Sequence, residues 1–251
     1  MNTHRERSVT AAFVSIANSL AENYDPVDLF TGLTQGCAHL LDIDSTGLLL
    51  ADERGVLHVM AASSEATHHL ETFQLQREEG PCLDCYRGGA PVLVADLSQE
   101  ADRWPVFVPA AIAAGFASVH AVPMRLRETV LGTLGLFSSE VGRLNEDDLA
   151  LAQALAHVAS VALVAEKALS DSSAINQQLQ TALRSRVVLE QAKGVLAERG
   201  GLNMAEAFAA LRGYARAHNA KLSEVAHRVV TRKLAAQDVL DDMRTRSTGA
   251  N

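Results

Sequence analysis

From Asn145 through Lys193 the chain contains neither proline nor glycine. Those two residues are the strongest local breakers of regular structure. So long a run without them predicts one long or lightly interrupted helix. Its start is marked by Asn145 at the N-cap position and by Glu146, Asp147 and Asp148 in the first turn, where a carboxylate complements the helix dipole. Leu149, Ala152, Leu155, Ala159, Ala162 and Leu163 then fall on one face. The run divides the chain: ahead of it helical and strand-like patterns alternate, and behind it only helical periodicity is found.

In the front part, Ser8 to Glu22 and Val27 to Leu41 carry helical apolar stripes. Thr46 to Ala51 and Val56 to Ala61 are short apolar runs around the turn Asp52-Glu53-Arg54-Gly55, the pattern of a β-hairpin. Pro91 to Ala95 reads as a short strand, Trp104 to Ala114 as a helix, and Ser118 to Leu126 with Thr129 to Phe137 as a second hairpin tipped by Arg127-Glu128. The expected fold is α+β, an antiparallel sheet flanked by helices, within residues 1–169. That length is ample for one buried core.

After Ala168 the composition turns polar, at Ser170-Asp171-Ser172-Ser173 and Asn176-Gln177-Gln178, while Ile175, Leu179, Ala182 and Leu183 continue a helical stripe. A solvated helix with a narrow apolar stripe needs a partner. Residues 170–181 are therefore expected to be a helical linker that dimerises as a short coiled coil, the alternative being an unpaired, frayed linker. Three helices follow within residues 182–240. The first carries Val188, Ala192, Val195 and Leu196 on one face and stops at Gly200-Gly201. The second opens on Asn203 with Glu206 three residues on, and aligns Met204, Phe208, Leu211 and Ala215 for burial. The third starts near Ser223 and aligns Val225, Ala226, Val229 and Val230. Residues 241–251 read as a tail.

Charge follows the same division. The net charge of −8 argues by itself against nucleic acid, because phosphate binding needs clustered cations. From Asp171 to Asn251, however, there are 12 basic and 8 acidic residues, a net of +4, so the first 170 residues carry −12. No stretch reaches the roughly 20 apolar residues of a membrane span. The polar N-terminus has no apolar segment of a signal peptide, and the three cysteines, Cys37, Cys82 and Cys85, are few and odd in number. A reducing cytoplasm is expected, with no membrane partner.

The run Ser185-Arg186-Val187-Val188-Leu189-Glu190-Gln191-Ala192-Lys193-Gly194-Val195-Leu196 closely resembles the first helix of ANTAR domains. Ala205-Glu206-Ala207-Phe208, Leu211-Arg212, Ala215, Lys221-Leu222 and Val225-Ala226 continue the match without gaps, with Ala197 and Arg216 where the family often has Met. The resemblance implies an RNA-binding module of a bacterial transcription antiterminator, which holds paired stem-loops so that the terminator hairpin does not form. The residues fit this reading. Arg186 and Lys193 lie seven apart on one helical face, Arg212 and Arg216 lie four apart on the next helix, and Lys221 lies in the matched Lys221-Leu222 pair. From Ala182 to Lys233 the net charge is +6, and phosphate charge dominates such affinity. Tyr214 is either a platform for a splayed base or an aromatic at the core edge. These six residues are the candidate RNA contacts. Lys193-Gly194 is not a phosphate-binding loop, since it lacks the upstream glycine and strand. Gly194 within a helix is expected to mark close approach of another helix or of RNA backbone.

Upstream, Glu79-Gly80-Pro81-Cys82-Leu83-Asp84, Pro91-Val92, Ala95-Asp96-Leu97, Arg103-Trp104-Pro105, Gly115-Phe116, Ser118-Val119 and Leu131-Gly132-Thr133-Leu134 resemble the GAF domains that precede ANTAR modules in actinobacterial proteins. The resemblance implies a small-molecule or redox sensor in which an antiparallel sheet cups a pocket. The effector is unknown. Cys82 and Cys85 are spaced as a redox pair or half a zinc site, with the helix dipole at Cys82 expected to lower its pKa, or as two small buried hydrophobes. A zinc site needs two more ligands, and neither Cys37 nor His68-His69 has a matching spacing. Trp104 is expected to be a packing anchor. No catalytic constellation or metal site is found, so an enzyme is not expected.

The expectation is a cytoplasmic transcription antitermination regulator, a homodimer that binds RNA stem-loops under control of a sensor domain. Two alternatives remain open. One is a small-molecule or redox sensor whose helical tail contacts protein, and the other is a DNA-binding regulator.

Overall fold

The computed structural model describes residue 9, residues 26–165 and residues 172–248. The expected helix over Ser8–Glu22 lies, Val9 apart, outside the described residues, as does any interruption at 166–171 of the long helix begun at Asn145. The chain divides into two compact units, Leu29–Gln180 and Asn23–Asp28 with Thr181–Asn251.

The first unit is built on a five-stranded antiparallel sheet of order β2-β1-β5-β4-β3. The strands are β1 (Ser45–Ala51), β2 (Leu57–Ala62), β3 (Val92–Val94), β4 (Ser118–Leu126) and β5 (Thr129–Ser138). Both expected hairpins form. In the first turn the Asp52 carboxylate accepts from the N–H groups of Arg54 and Val56, and Gly55 takes φ +78°. Seven successive residues of β1 are buried, so both faces of the sheet are covered. Leu49, Ala51, Val119, Ala121 and Phe137 meet α2 (Glu65–Arg77), α3 (Pro81–Gly88) and α4 (Phe107–Ala113) on one face. The other face packs on α5 (Glu146–Ala165) and is tied to α1 (Pro26–Leu41), where the Thr46 hydroxyl donates to the Thr34 carbonyl at 2.6 Å. Asn145 caps α5 as its sequence requires, its Oδ1 accepting from the Asp148 N–H at 2.8 Å.

The helix α2 is absent from the sequence expectations for a physical reason. Its buried positions are Thr67, Leu70, Glu71 and Gln74, so three of its four inward side chains are polar and no apolar stripe announces it. Ser64 caps it by accepting from the Thr67 N–H, and Glu78 ends it at φ +55°.

The second unit contains α6 (Ser172–Gly200, whose first residues belong to the first unit), α7 (Met204–Ala217), α8 (Leu222–Val230) and α9 (Ala236–Thr248). Leu189, Ala192, Leu196, Ala207, Ala210, Leu211, Val225, Ala226, Val229, Val239 and Leu240 form its core. The capping box at Asn203 is complete, with Glu206 accepting from the Asn203 N–H at 2.9 Å and Asn203 from the Glu206 N–H at 2.8 Å. Three expectations need correction. Met204, Phe208 and Val230 are only half-buried, and the small Ala207 and Ala210 take the innermost positions of α7. Helical structure extends beyond the three expected helices into α9, which includes residues read as a tail. Gly194 is exposed, and among the described residues nothing lies within 4 Å of where a Cβ would stand, so no described helix of this chain makes the expected close approach. The close approach is at Gly200, where a Cβ would stand 2.7 Å from Leu240 of α9. No described helix is long and apolar enough to cross a membrane.

Candidate functional site

The paired cysteines sit in the first turn and a half of α3, and both are fully buried. Burial pushes Cys85 up to about 12 and Cys82 well above its ordinary value. Cys82 is thus raised where the helix start was expected to lower it: burial is the largest cause, and the neighbouring Glu71 and Cys85 act in the same direction. Such thiols are poor nucleophiles, because the thiolate is the reactive form. Cys37 in α1 is likewise buried and raised to about 12. Among the described residues no group of three or more His, Cys, Asp or Glu is placed to hold a metal ion.

Beside Cys82 lies a group that sequence reasoning missed. Glu71 is completely buried, and its Oε1 is 3.5 Å from the Cys82 Sγ. Its Oε2 accepts from the Gln74 Nε2, while Gln74 Oε1 accepts from the Cys82 N–H at 3.2 Å. The three residues close a ring that joins α2 to the start of α3. The sheet makes room for it with a cross-strand pair of glycines, Gly47 of β1 opposite Gly135 of β5. A Cβ would stand 2.5 Å from Glu71 Oε1 at Gly47 and 2.7 Å from it at Gly135. Among the described residues no cation contributes to the field at Glu71, and burial raises its carboxyl to about 8 against the opposing pull of the Cys82 and Gln74 hydrogen bonds.

The remaining conspicuous residues of this region hold the fold. Glu79 Oε1 accepts from the N–H groups of Val106 and Phe107 and so caps α4 at 2.7 and 2.8 Å. Asp84 pairs with Arg103 at 2.9 Å, and the Arg103 guanidinium lies 4.3 Å over the Trp104 ring. Trp104 itself is 2% exposed and packs edge-on to Phe107, the anchor its position suggested.

In the second unit, Arg186 and Lys193 share one carboxylate. Glu190 is 2.7 Å from Arg186 and 3.0 Å from Lys193. The two cationic side chains are only 14% exposed, and burial lowers Arg186 against the opposing pull of Glu190. Arg212 Nε lies 2.9 Å from Asp28, also of this unit. Tyr214 stacks on His218 with ring centroids 3.9 Å apart and planes 16° from parallel. Arg216 is exposed on α7, and the half-buried Lys221 stands at the N-cap of α8 without a side-chain cap bond.

A family model described as GAF domain matches residues 23–164, and one described as ANTAR domain matches residues 177–230. No curated protein matches the chain. Among solved structures, the GAF domain of an Acinetobacter phosphoenolpyruvate-protein phosphotransferase superposes with a TM-score of 0.52 at 16% identity, over 68% of this chain and 99% of that one. A free methionine-R-sulfoxide reductase from Neisseria meningitidis, in complex with its substrate, gives a TM-score of 0.48 at 17% identity, over 61% of this chain and 87% of that one.

Proposed function

The chain belongs to the GAF domain family and carries an ANTAR domain behind it, and from that premise we propose that it is a transcription antitermination regulator. Its C-terminal helices bind paired RNA stem-loops in nascent transcripts, in the cytoplasm, under control of the sensor domain. The observation that carries this reading is the coincidence of the ANTAR match with a helical unit that has its own apolar core. The positive balance of that region supports it, because RNA affinity rests heavily on phosphate contacts.

The protein acts as a homodimer. On α6 the residues Val187, Gln191, Gly194 and Glu198 are exposed at helical spacing. Val187 is 58% exposed, and the open space beside Gly194 admits the backbone of a second helix. Two modules linked in this way hold two stem-loops with an avidity set by their separation. A sensor signal, a small molecule in the GAF domain, acts by binding two arrangements of the dimer with different affinity. The regulator has no catalytic step of its own.

The test is a fluorescence titration of the full chain with an RNA of two hairpins, a duplex DNA of the same sequence and a scrambled RNA. Tighter binding of the two-hairpin RNA than of the other two is expected. Equal affinity for all three would reject the proposal.

A further inference from the structure

The cations of the second unit fall into two sets. Arg186, Lys193, Arg212, Arg244 and Arg246 each lie within 3.1 Å of a carboxylate. Arg184, Arg199, Arg216, Lys221, Arg228, Arg232 and Lys233 make no ion pair among the described residues. Four of these seven, Lys221, Arg228, Arg232 and Lys233, lie together on α8 and the turn that follows it. Lys221 and Arg228 lie seven residues apart across α8, which puts them within about 20° of one another and about 10 Å apart along the axis.

Arg232 and Lys233 follow on a turn that the backbone fixes. The Arg228 carbonyl accepts from the N–H groups of Lys233 at 2.8 Å and Leu234 at 3.0 Å. Arg232 takes φ +58° in that turn, and Leu234 and Ala236 are buried just beyond it. The chain is thus anchored on both sides of two exposed cations. Between Lys221 and Lys233 the sequence carries four basic residues and one acid, Glu224, a net of +3.

We infer that this face, Lys221, Arg228, Arg232 and Lys233, is where the unit meets the backbone phosphates of an RNA stem, rather than the Arg186–Lys193 face of α6. The inference rests on the RNA-binding reading above and says which residues carry it. A phosphate approaching Arg186 or Lys193 must displace Glu190 and leave that carboxylate without its partners. A phosphate approaching Arg232 or Lys233 displaces only water and counterions, and the release of counterions is itself the driving force. The fixed turn adds that little conformational entropy is lost on contact. Half of this face, Arg232 and Lys233, lies beyond the end of the ANTAR match at residue 230.

The experiment measures affinity of the full chain for a synthetic two-hairpin RNA between 50 mM and about 300 mM salt. The Arg228→Gln/Arg232→Gln/Lys233→Gln variant is expected to bind about tenfold or more weakly at low salt and to lower the slope of log K against log salt by about 2. Arg232→Gln/Lys233→Gln, confined to exposed turn residues, is expected to lower it by about 1 to 2 and serves if the triple change unfolds α8. Arg228→Lys/Arg232→Lys keeps the charge and is expected to keep the slope. A role limited to stabilising the end of α8 would lower the melting temperature of the Gln variants and leave the slope unchanged. Binding of hairpin RNA with an unchanged slope in the Gln variants overturns this assignment alone. No binding of hairpin RNA by the wild-type chain at 50 mM salt overturns the RNA-binding reading, and the assignment with it.

Discussion

Glu71 is the residue whose chemistry departs furthest from what its letter suggests. A carboxylate taken out of water without a cation is destabilised, so the neutral acid persists to about pH 8 in the folded chain against an ordinary value of 4.5. The folded state therefore holds a proton between those values that the unfolded state has lost. Stability from this group is complete below pH 4.5 and falls as pH rises through 8. Glu71→Gln keeps the shape and removes the titration. Urea melts of this variant should show a flatter pH dependence between pH 6 and 9 and a gain of the order of a few kcal/mol at pH 9 over wild type; parallel pH profiles would contradict it. The notch that admits the side chain is equally specific. A Cβ at Gly135 would also stand 2.9 Å from both Cys82 Sγ and the Phe137 ring, so Gly135→Ala should cost about 1–3 kcal/mol by overpacking. An unchanged melting temperature would show that the ring simply moves aside. The cysteine pair was conspicuous in the sequence, whereas Glu71 was not. Spacing reveals two thiols in one helical turn, but nothing in Leu70-Glu71-Thr72 says which charged residue faces a sheet with two opposed glycines.

Elements were legible where their ends and stripes carried local signals. Both hairpins have turns that their own residues fix, through the Asp52 carboxylate in one and Arg127 at φ +53° in the other. The helix α7 opens on Asn203 and Glu206, whose reciprocal bonds are formed. Asn203→Ala should lower the stability of the second unit by about 1 kcal/mol, read as a shift in its thermal melt. The helices α2 and α9 were not legible, for opposite reasons. In α2 the buried face is polar, and in α9 only Val239, Leu240 and Met243 interrupt a charged surface. Yet α9 is not an ornament. Leu240 is 1% exposed and fills the space left by the missing side chain of Gly200. Leu240→Ala should therefore cost about 2–5 kcal/mol. A cost below about 0.5 kcal/mol, the scale of surface substitutions, would mean that the helical unit is complete without α9.

At the scale of the whole molecule, the charge split carries its own consequence. An acidic body of −12 tethered to a region of +4 repels the same phosphates that the basic region attracts. This repulsion acts across solvent, so it is strong where the Debye length is long and fades above about 0.1 M salt, where that length falls to about 10 Å. A fragment beginning at Ser170 should thus bind hairpin RNA more tightly than the full chain at 20 mM salt, with the two affinities converging by about 0.3 M. The comparison has one local confound. Val27 contributes to the core of the second unit and Asp28 holds Arg212, and the fragment lacks both. Asp28→Asn in the full chain releases Arg212 while leaving the acidic body in place. If that variant alone reproduces the gain of the fragment, the restraint is a single ion pair; if it does not, and the gain vanishes with salt, the restraint is the field of the sensor domain. Equal binding by fragment and full chain at low salt would remove both explanations and leave the acidic excess without a part in RNA binding.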